Sequence, residues 1–158
     1  MPLKNLKTDE TLASVIEKVL KSDYKKLQKS KEFSFDWSVV SEHEVYKIYA
    51  VNKNKEVLGV MALVDRPDEY RIHMELIEIM KSNQGKNKTI DHIAGCLIAF
   101  ACQLAFDRGY FGFLSLQPKT KLIDLYQEKY GFRQYGRLLA VEGEAANYLI
   151  QKYLEDEK

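Results

Sequence analysis

The chain has 158 residues, enough for one domain with a buried core. Its apolar fraction of 46% and charged fraction of 30% are those of an ordinary globular protein. A formal net charge of +1 leaves no basic excess, so a general nucleic-acid-binding protein is not expected.

The N-terminal sequence MPLKNLKTDETL holds no apolar run, so no signal peptide is expected. The longest apolar stretch, residues 93–106, is too short to span a bilayer. Cys96 and Cys102 fall in one predicted helix, about 9 Å apart along its axis and beyond disulfide reach. Free cysteines without an export signal predict a location in a reducing cytoplasm.

Residues 9–22 carry apolar side chains at helical spacing and predict an amphipathic surface helix. This stripe consists of Leu12, Val15, Ile16, Val19 and Leu20. Thr8 or Asp9 is its expected N-cap. Residues 23–44 combine lysines with the aromatic sequence FSFDWSVV, so a short helix and an irregular segment are expected there.

Three runs rich in β-branched and aromatic residues predict an antiparallel meander. The strands are expected at residues 45–51, 56–65 and 70–80, with turns at 52–55 and 66–69. Residues 90–107 then predict a helix whose apolar surface extends so far around that it must be largely buried. Arg108 and Gly109 form its stop signal.

The rest of the chain predicts a strand at 111–116, a helix at 119–129 that Gly131 ends, a strand at 132–141 and a helix at 144–154. A strand, a buried helix and another strand require a crossover connection, which predicts a mixed sheet in an α/β or α+β domain. No repeat or linker divides the sequence, so one domain over residues 1–158 is expected.

Residues 122–132, LIDLYQEKYGF, resemble the A-I-x-L-Y-x-x-x-G-F segment of the GCN5-related N-acetyltransferase (GNAT) superfamily. The order of the predicted elements resembles the same family over residues 45–140. The resemblance implies a mixed, mostly antiparallel central sheet flanked by helices, with a coenzyme cleft between two strands that splay apart. It also implies direct transfer of acetyl from acetyl-CoA to an amine of an unknown acceptor.

Residues 82–95, SNQGKNKTIDHIAG, resemble the family's Q/R-x-x-G-x-G/A pyrophosphate motif in two parts. Residues 84–86 match its opening, and Ala94 matches its final Gly/Ala if about five residues near 86–91 are inserted. His92 then stands where the first of two paired glycines belongs. The loop also resembles that of a subset of bacterial members with R/Q-G-K-N-K ahead of this helix, which adds no known substrate.

A helix N-terminus presents unpaired N–H groups and about half a positive charge, which suits a pyrophosphate. Lys86 and Lys88 are expected to pair with phosphate oxygens, and His92 either touches a phosphate or is only a polar residue near the helix start. An N–H near Ile79 or Met80 is expected to hold the thioester oxygen. The expected coenzyme-binding set is Ile79, Met80, Gln84, Gly85, Lys86, Lys88, His92, Ile93, Ala94, Gly95 and Lys119. The family has an asparagine at the position of Lys119 and a small residue at that of Leu122.

The implied reaction needs a base for the amine and an acid for the departing thiolate. Glu75 and Glu78 are the candidate bases; a regular strand would put them on opposite faces, and a bulge would change that parity. Tyr126 matches the family's acid tyrosine. The structural alternatives are glutamates on a solvated strand face and a tyrosine packed against the sheet.

Two other functions stay open. The irregular glycine motif is compatible with an inactive GNAT-like module that binds CoA or a protein. A partner of nucleic acid or of a toxin system is suggested only by a lysine run that also fits a solvated helix face, namely Lys25, Lys26, Lys29 and Lys31. The expected partners are acetyl-CoA and an amine, without nucleic acid or membrane, in a monomer or homodimer.

The remaining candidates concern metals and the acceptor. His43, His73 and His92 share no metal-ligand spacing with each other or with the cysteines, so no metal site is expected. Phe35 and Trp37 are expected either to line an acceptor pocket or to pack a loop onto the core.

Overall fold

The computed structural model describes residues 2–51 and 56–155. Within them the strands are β1 Pro2–Asn5, β2 Thr11–Lys18, β3 Glu44–Ala50, β4 Val57–Arg66, β5 Arg71–Ile79, β6 Ile90–Asp91, β7 Leu114–Leu116, β8 Arg133–Tyr135 and β9 Leu138–Val141. The α-helices are α1 Lys21–Lys29, α2 Ile93–Asp107, α3 Ile123–Tyr130 and α4 Gly143–Tyr153. The predicted turn at 52–55 lies outside the described residues.

The nine described strands form one sheet in the order β6-β1-β2-β3-β4-β5-β7-β9-β8. Only the β5–β7 pair is parallel, because the crossover through α2 returns the chain in the same direction. The predicted mixed, mostly antiparallel sheet is confirmed, and so is its central meander β3-β4-β5.

The predicted N-terminal helix is wrong. Residues 11–18 form β2, which pairs with β3, and the following helix α1 begins only at Lys21. The apolar stripe of these residues fits a helix and a strand equally well. The β-branched side chains favour a strand, and pairing with the edge of β3 stabilises it. Of that stripe Leu12 is buried, whereas Leu20 is 63% exposed. Thr8 and Asp9 therefore cap no helix and lie in the turn before β2.

The predicted strand over residues 132–141 is a hairpin of two strands, β8 and β9. Tyr135 pairs with Leu138, which leaves a two-residue turn between them. Gly136 begins this turn with a φ of 63°, a conformation that glycine adopts without strain.

Helix α2 is buried as predicted, but it begins three residues late. Ile90 and Asp91 pair with β1 instead of continuing the helix, so the loop before α2 is tied to the N-terminal strand. Cys96 and Cys102 are both free and fully buried in α2. Burial raises the pKa of the Cys96 thiol to about 12 and also raises that of Cys102.

Helices cover both faces of the sheet. A Cβ atom on Gly59 of β4 would touch Ile93 and Leu97, so α2 packs directly on this face, with α4 beside it. The segment from α1 through the 3₁₀ turn Trp37–Val40 covers part of the opposite face. No helix among the described residues has the length and apolar character needed to cross a membrane.

Candidate functional site

The strands β5 and β7 separate after a short contact. They pair only over residues 72–74 and 114–116, whereas β5 continues to Ile79. Over residues 76–79 β5 is paired with β4 on its other edge. In the described part of the chain, the β7-facing edge of β5 therefore opens into a fork, as the resemblance implied for the splayed strands.

Of the two N–H groups predicted to hold the thioester oxygen, those of Ile79 and Met80, only that of Ile79 faces the fork. Met80 N–H donates a 3.0 Å hydrogen bond to the Leu58 carbonyl of β4, so it cannot hold a thioester oxygen. Because successive residues of a strand point their polar groups to opposite edges, the Ile79 N–H faces the fork. The Ile79 carbonyl is already bound by Gln84 Nε2 at 2.6 Å. The prediction for Met80 is thus wrong, and Ile79 is the better candidate.

The loop between β5 and α2 is held by Asn83, which the sequence reasoning missed. Its side chain is buried, with 5% exposed. The Oδ1 atom accepts from Thr89 N–H at 2.8 Å and from Ile90 N–H at 2.9 Å, while Nδ2 donates to the Ile90 carbonyl at 2.9 Å. These bonds close residues 84–89 into a compact loop. An asparagine four residues after the end of β5 and two residues before Gly85 is a turn signal that could have revealed it.

The N-terminus of α2 opens beside this loop. His92 is its N-cap, with a φ of 77°, a conformation that favours glycine. The backbone thus fits the alignment of His92 with a family glycine. The His92 side chain caps no N–H group, and Asp91 Oδ1 accepts from the His92 N–H at 2.9 Å, ahead of the first helical turn. The N–H groups of the first helical turn, in residues 93–95, have no partner within the helix.

A cleft of about 520 Å³ joins the fork, the loop and the helix N-terminus. Glu78 and eight predicted coenzyme-binding residues line it, namely Ile79, Gln84, Gly85, Lys88, His92, Ile93, Ala94 and Gly95. The opposite wall comes from α3 and α4 and includes Leu125, Lys129, Tyr130 and Tyr153. Most of the predicted coenzyme-binding residues therefore come together at one cleft.

The three predicted lysines are placed differently. Lys88 forms a 2.7 Å ion pair with Asp91, and this ion pair lowers the pKa of the Asp91 carboxyl against the opposing effect of burial. Lys86 is exposed on the loop, and Lys119 is exposed beyond β7; neither is among the residues that line the cleft. Lys129, which the sequence reasoning missed, brings a cation to the far wall and lies 5.6 Å from the centre of the Tyr130 ring.

Gly95 lines the cleft, and its missing side chain also serves a packing contact that the sequence did not predict. A Cβ atom there would collide with Cε1 of Tyr153 and lie 2.6 Å from its Cδ1 and Cζ. The missing side chain thus makes room for an aromatic ring of α4. That ring also packs edge-on against His92, with 5.4 Å between ring centres. Gly85, in contrast, has a φ of 55° and open space around it, which suits close approach of a ligand.

Tyr126, the predicted acid, is buried and does not line the cleft. Its ring packs against Tyr130 and Phe132, and burial raises the pKa of its hydroxyl. Four residues separate Tyr126 from Gly131, whereas the family segment has three. The extra residue rotates Tyr126 by about 100° around the helix relative to the glycine. Tyr130 lines the cleft instead.

The two candidate bases share one face of β5, because the strand has a bulge at Glu75. Across β4, Leu63 pairs with Met74 and Ala62 with Leu76, so Glu75 is the extra residue. Glu75 is exposed, whereas Glu78 is half-buried. The bulge thus puts Glu75 and Glu78 on the same face, whereas a regular strand would put them on opposite faces.

The Glu78 carboxylate is occupied by the segment that follows α1. It accepts from Ser34 N–H at 2.8 Å, from Phe35 N–H at 3.3 Å and from Trp37 Nε1 at 2.9 Å. Trp37 is 2% exposed and belongs to the core, while Phe35 lies at its margin and contacts the Trp37 ring edge-on. Glu78 therefore holds this segment against β5.

Two of the predictions concern metal ligands and the lysine run. Within residues 2–51 and 56–155, no group of three or more His, Cys, Asp or Glu side chains is placed to hold a metal ion. The lysine run on and after α1 is exposed, as expected for a solvated helix face.

No protein-family model and no curated protein sequence matches the chain. Solved structures do match. The AtaTR structure bound with acetyl-CoA has a TM-score of 0.59 at 14% identity, covering 86% of this chain and 97% of its own. The Bacillus subtilis N-acetyltransferase YlbP in complex with coenzyme A has a TM-score of 0.57 at 15% identity, covering 84% of this chain and 98% of its own. An acetyltransferase of the GNAT family from Staphylococcus aureus Mu50 has a TM-score of 0.55 at 16% identity, covering 79% of this chain and 87% of its own. The chain has the fold of these acetyltransferases, and the predicted GNAT-like architecture is confirmed.

Proposed function

We propose that this protein of GNAT fold is an acetyl-CoA-dependent N-acetyltransferase that transfers acetyl directly to an amine. The observation that carries the proposal is the 520 Å³ cleft, in which an open strand edge meets the free N-terminus of a 15-residue helix. An edge that can bind an extended chain, next to a terminus that can bind phosphate, suits a long ligand with a pyrophosphate group.

The residues present fit such a ligand. The N–H groups of residues 93–95 and the positive end of the α2 dipole would hold the pyrophosphate, and Gly85 leaves room beside them. Lys129 adds a positive charge on the far wall, whereas Lys88 is already paired with Asp91. Acetyl-CoA would supply an activated acetyl group as a thioester. The Ile79 N–H, which faces the fork, would donate to the thioester oxygen.

Binding of acetyl-CoA is the direct test. At a concentration 100 times its dissociation constant, a ligand that binds only the folded protein adds about 2.7 kcal/mol to the free energy of unfolding. We expect acetyl-CoA to raise the melting temperature accordingly, and CoA to do so as well. Inorganic pyrophosphate alone is a control for the phosphate part of the site. A melting temperature that acetyl-CoA leaves unchanged would contradict the proposal.

The alternative function is an inactive coenzyme-binding or protein-interaction module. Two observations favour it: Tyr126 does not line the cleft, and Glu78 is occupied by three N–H donors. Release of CoA thiol from acetyl-CoA in the presence of spermidine, kanamycin or a peptide with a free N-terminus separates the two functions. Binding without thiol release with any of these amines would support the inactive module.

Replacing Tyr126 with phenylalanine is expected to leave kcat within about threefold of the wild type. A general acid contributes about 10² to 10⁴ in rate, but its hydroxyl must reach the reacting atoms. Since Tyr126 does not line the cleft, the thiolate, whose conjugate acid has a pKa of about 8.5, would take its proton from water. Steady-state kinetics with acetyl-CoA provides the measurement. A loss of about 100-fold would instead support the role that the sequence predicts for Tyr126.

Tyr130→Phe is the matched variant, because Tyr130 is the tyrosine of α3 that lines the cleft. We expect it to raise KM for acetyl-CoA several-fold, on the order of one lost hydrogen bond, with a smaller effect on kcat. Equal behaviour of the two variants would contradict the placement of these tyrosines.

A further inference from the structure

A second cavity, here called the α1 cavity, lies between α1 and the strands β3 and β4. It has a volume of about 470 Å³ and shares no lining residue with the cleft at the fork. Its floor is apolar and consists of Leu27, Phe33, Val57 and Met80, of which all but Val57 are buried in the core. A concave site of this volume with an apolar floor is the usual form of a small-molecule site.

One ion pair in the α1 cavity is complete in itself. Lys47 Nζ lies 3.0 Å from Asp23 Oδ2, and 13% of each side chain is exposed. Burial raises the pKa of the Asp23 carboxyl, but the hydrogen bonds from Leu20 N–H and from Lys47 bring this pKa below its usual value. Asp23 and Lys47 are therefore charged partners of each other, and a ligand has to be recognised by other groups.

Two opposite charges border the same cavity without such a partner. Lys26 on α1 and Glu56 before β4 are both exposed, and neither side chain forms an ion pair or a hydrogen bond within residues 2–51 and 56–155. Glu32 adds a carboxylate whose Oε2 accepts from Ser82, whereas no donor reaches its Oε1 in the same part of the chain. A cation and carboxylate oxygens are thus left for a ligand at one apolar cavity.

We propose that the α1 cavity binds a small zwitterion with an apolar side chain, the chemistry that apolar α-amino acids and short apolar peptides share. Lys26 pairs with the carboxylate of the ligand, while Glu56 and Oε1 of Glu32 receive its ammonium group. The apolar side chain covers the floor, where burial of apolar surface is favourable. The inference does not depend on the proposed acetyl transfer, because the cavity and the cleft have no lining residue in common.

Glu32 links the α1 cavity to backbone groups that can report on it. Its carbonyl accepts from Lys81 N–H at 2.9 Å, and its Oε2 accepts from Ser82 N–H at 3.1 Å. A ligand that contacts Glu32 therefore changes the surroundings of these two amides.

Titration with L-leucine, L-phenylalanine and the dipeptide leucyl-leucine, followed by nitrogen-15 amide NMR, tests whether the site exists. We expect saturable shifts of the Lys81 and Ser82 amides and of the last turn of α1. The expected dissociation constant is on the order of 1 mM, because exposed ion pairs contribute little. The tighter of leucine and leucyl-leucine then identifies the ligand as a free amino acid or a peptide.

Glycine is the control ligand, because it has both charges and no side chain. We expect it to cause no saturable shift. Three results would overturn the proposal: no saturable shift with any of the three probes, equal shifts with glycine, or shifts confined to residues 93–95 at the other cleft.

Substitutions of the two free charges test how the ligand is recognised. Lys26→Met and Glu56→Gln are each expected to weaken leucine binding about threefold or more. Lys29→Met, on the same helix but outside the cavity, and the exposed Glu42→Gln are the matched controls and should leave the affinity unchanged. Losses in Lys26→Met and Glu56→Gln no larger than in these controls would overturn the assigned recognition.

Two analogues assign each charge of the ligand to its partner. 3-Methylbutylamine is leucine without its carboxylate, and 4-methylpentanoate is leucine without its ammonium group. We expect Lys26→Met to weaken binding of leucine but not of the amine, and Glu56→Gln to weaken binding of leucine but not of the acid. If Lys26→Met weakens leucine and the amine by the same factor, Lys26 does not bind the carboxylate and the proposal is overturned.

Discussion

Replacing Asn83 with alanine is expected to lower the free energy of unfolding by about 2–4 kcal/mol and to weaken acetyl-CoA binding by about tenfold or more. The Asn83 side chain is the partner of three main-chain groups, the N–H groups of Thr89 and Ile90 and the Ile90 carbonyl. Alanine leaves these groups without that partner in a loop that borders the cleft. The loss of order should then reach the α2 N-terminus through Asp91. Urea denaturation and calorimetric titration with acetyl-CoA are the measurements.

Two variants show whether the hydrogen bonds of Asn83 are the cause. Asn83→Asp keeps the acceptor for both N–H groups and loses only the donor to Ile90, so an intermediate loss of stability is expected. Asn147→Ala, on the exposed face of α4, should stay within about 0.5 kcal/mol of the wild type. Acetyl-CoA affinity that is unchanged in Asn83→Ala would show that the loop does not shape the coenzyme site.

Replacing Gly95 with alanine is expected to destabilise the protein by about 1–3 kcal/mol, although alanine is the better helix former by about 1 kcal/mol. The new methyl would lie 2.6 Å from the Cδ1 and Cζ atoms of the buried Tyr153 ring, so α2 and α4 must move apart. Since Tyr153 also contacts His92 and Tyr130, weaker acetyl-CoA binding should accompany the loss of stability.

A double-substitution cycle with Tyr153→Leu isolates the collision. Leucine removes the ring but retains apolar bulk, so in that background Gly95→Ala is expected to be neutral or stabilising by up to about 1 kcal/mol. Unfolding free energies of the four proteins give the coupling directly. If Gly95→Ala destabilises both backgrounds equally, Tyr153 is not the reason for the glycine.

The two tyrosines of α3 show how spacing within a helix changes which side chain lines the cleft. Residues 122–132 do form the helix and glycine stop that the resemblance implied, and Gly131 has the expected φ of 73°. Yet the additional residue before Gly131 turns Tyr126 into the core, where it packs on Phe132, and brings Tyr130 to the cleft. Spacing within a helix determines direction, and one residue changes it by about 100°.

The roles of Gly95 and Asn83 depend on contacts that the sequence alone does not place. A glycine at a helix start fits both a phosphate site and a close helix contact, and only the position of Tyr153 distinguishes them. Asn83 acts through groups six and seven residues away, on a loop whose path depends on the pairing of β6 with β1. Both roles arise from contacts between parts of the chain that are distant in sequence.

The sequence by itself determined the central meander, the buried helix α2 and its stop at Arg108 and Gly109, because each follows from hydrophobic periodicity and local backbone preference. Only the tertiary structure decided that residues 11–18 are a strand, since their apolar pattern fits a helix as well and the free edge of β3 settles it. It also decided which face Glu75 occupies, because the bulge exists only in the register between β4 and β5. Local energies select elements, whereas pairing and packing between distant segments select the side chains that form the site.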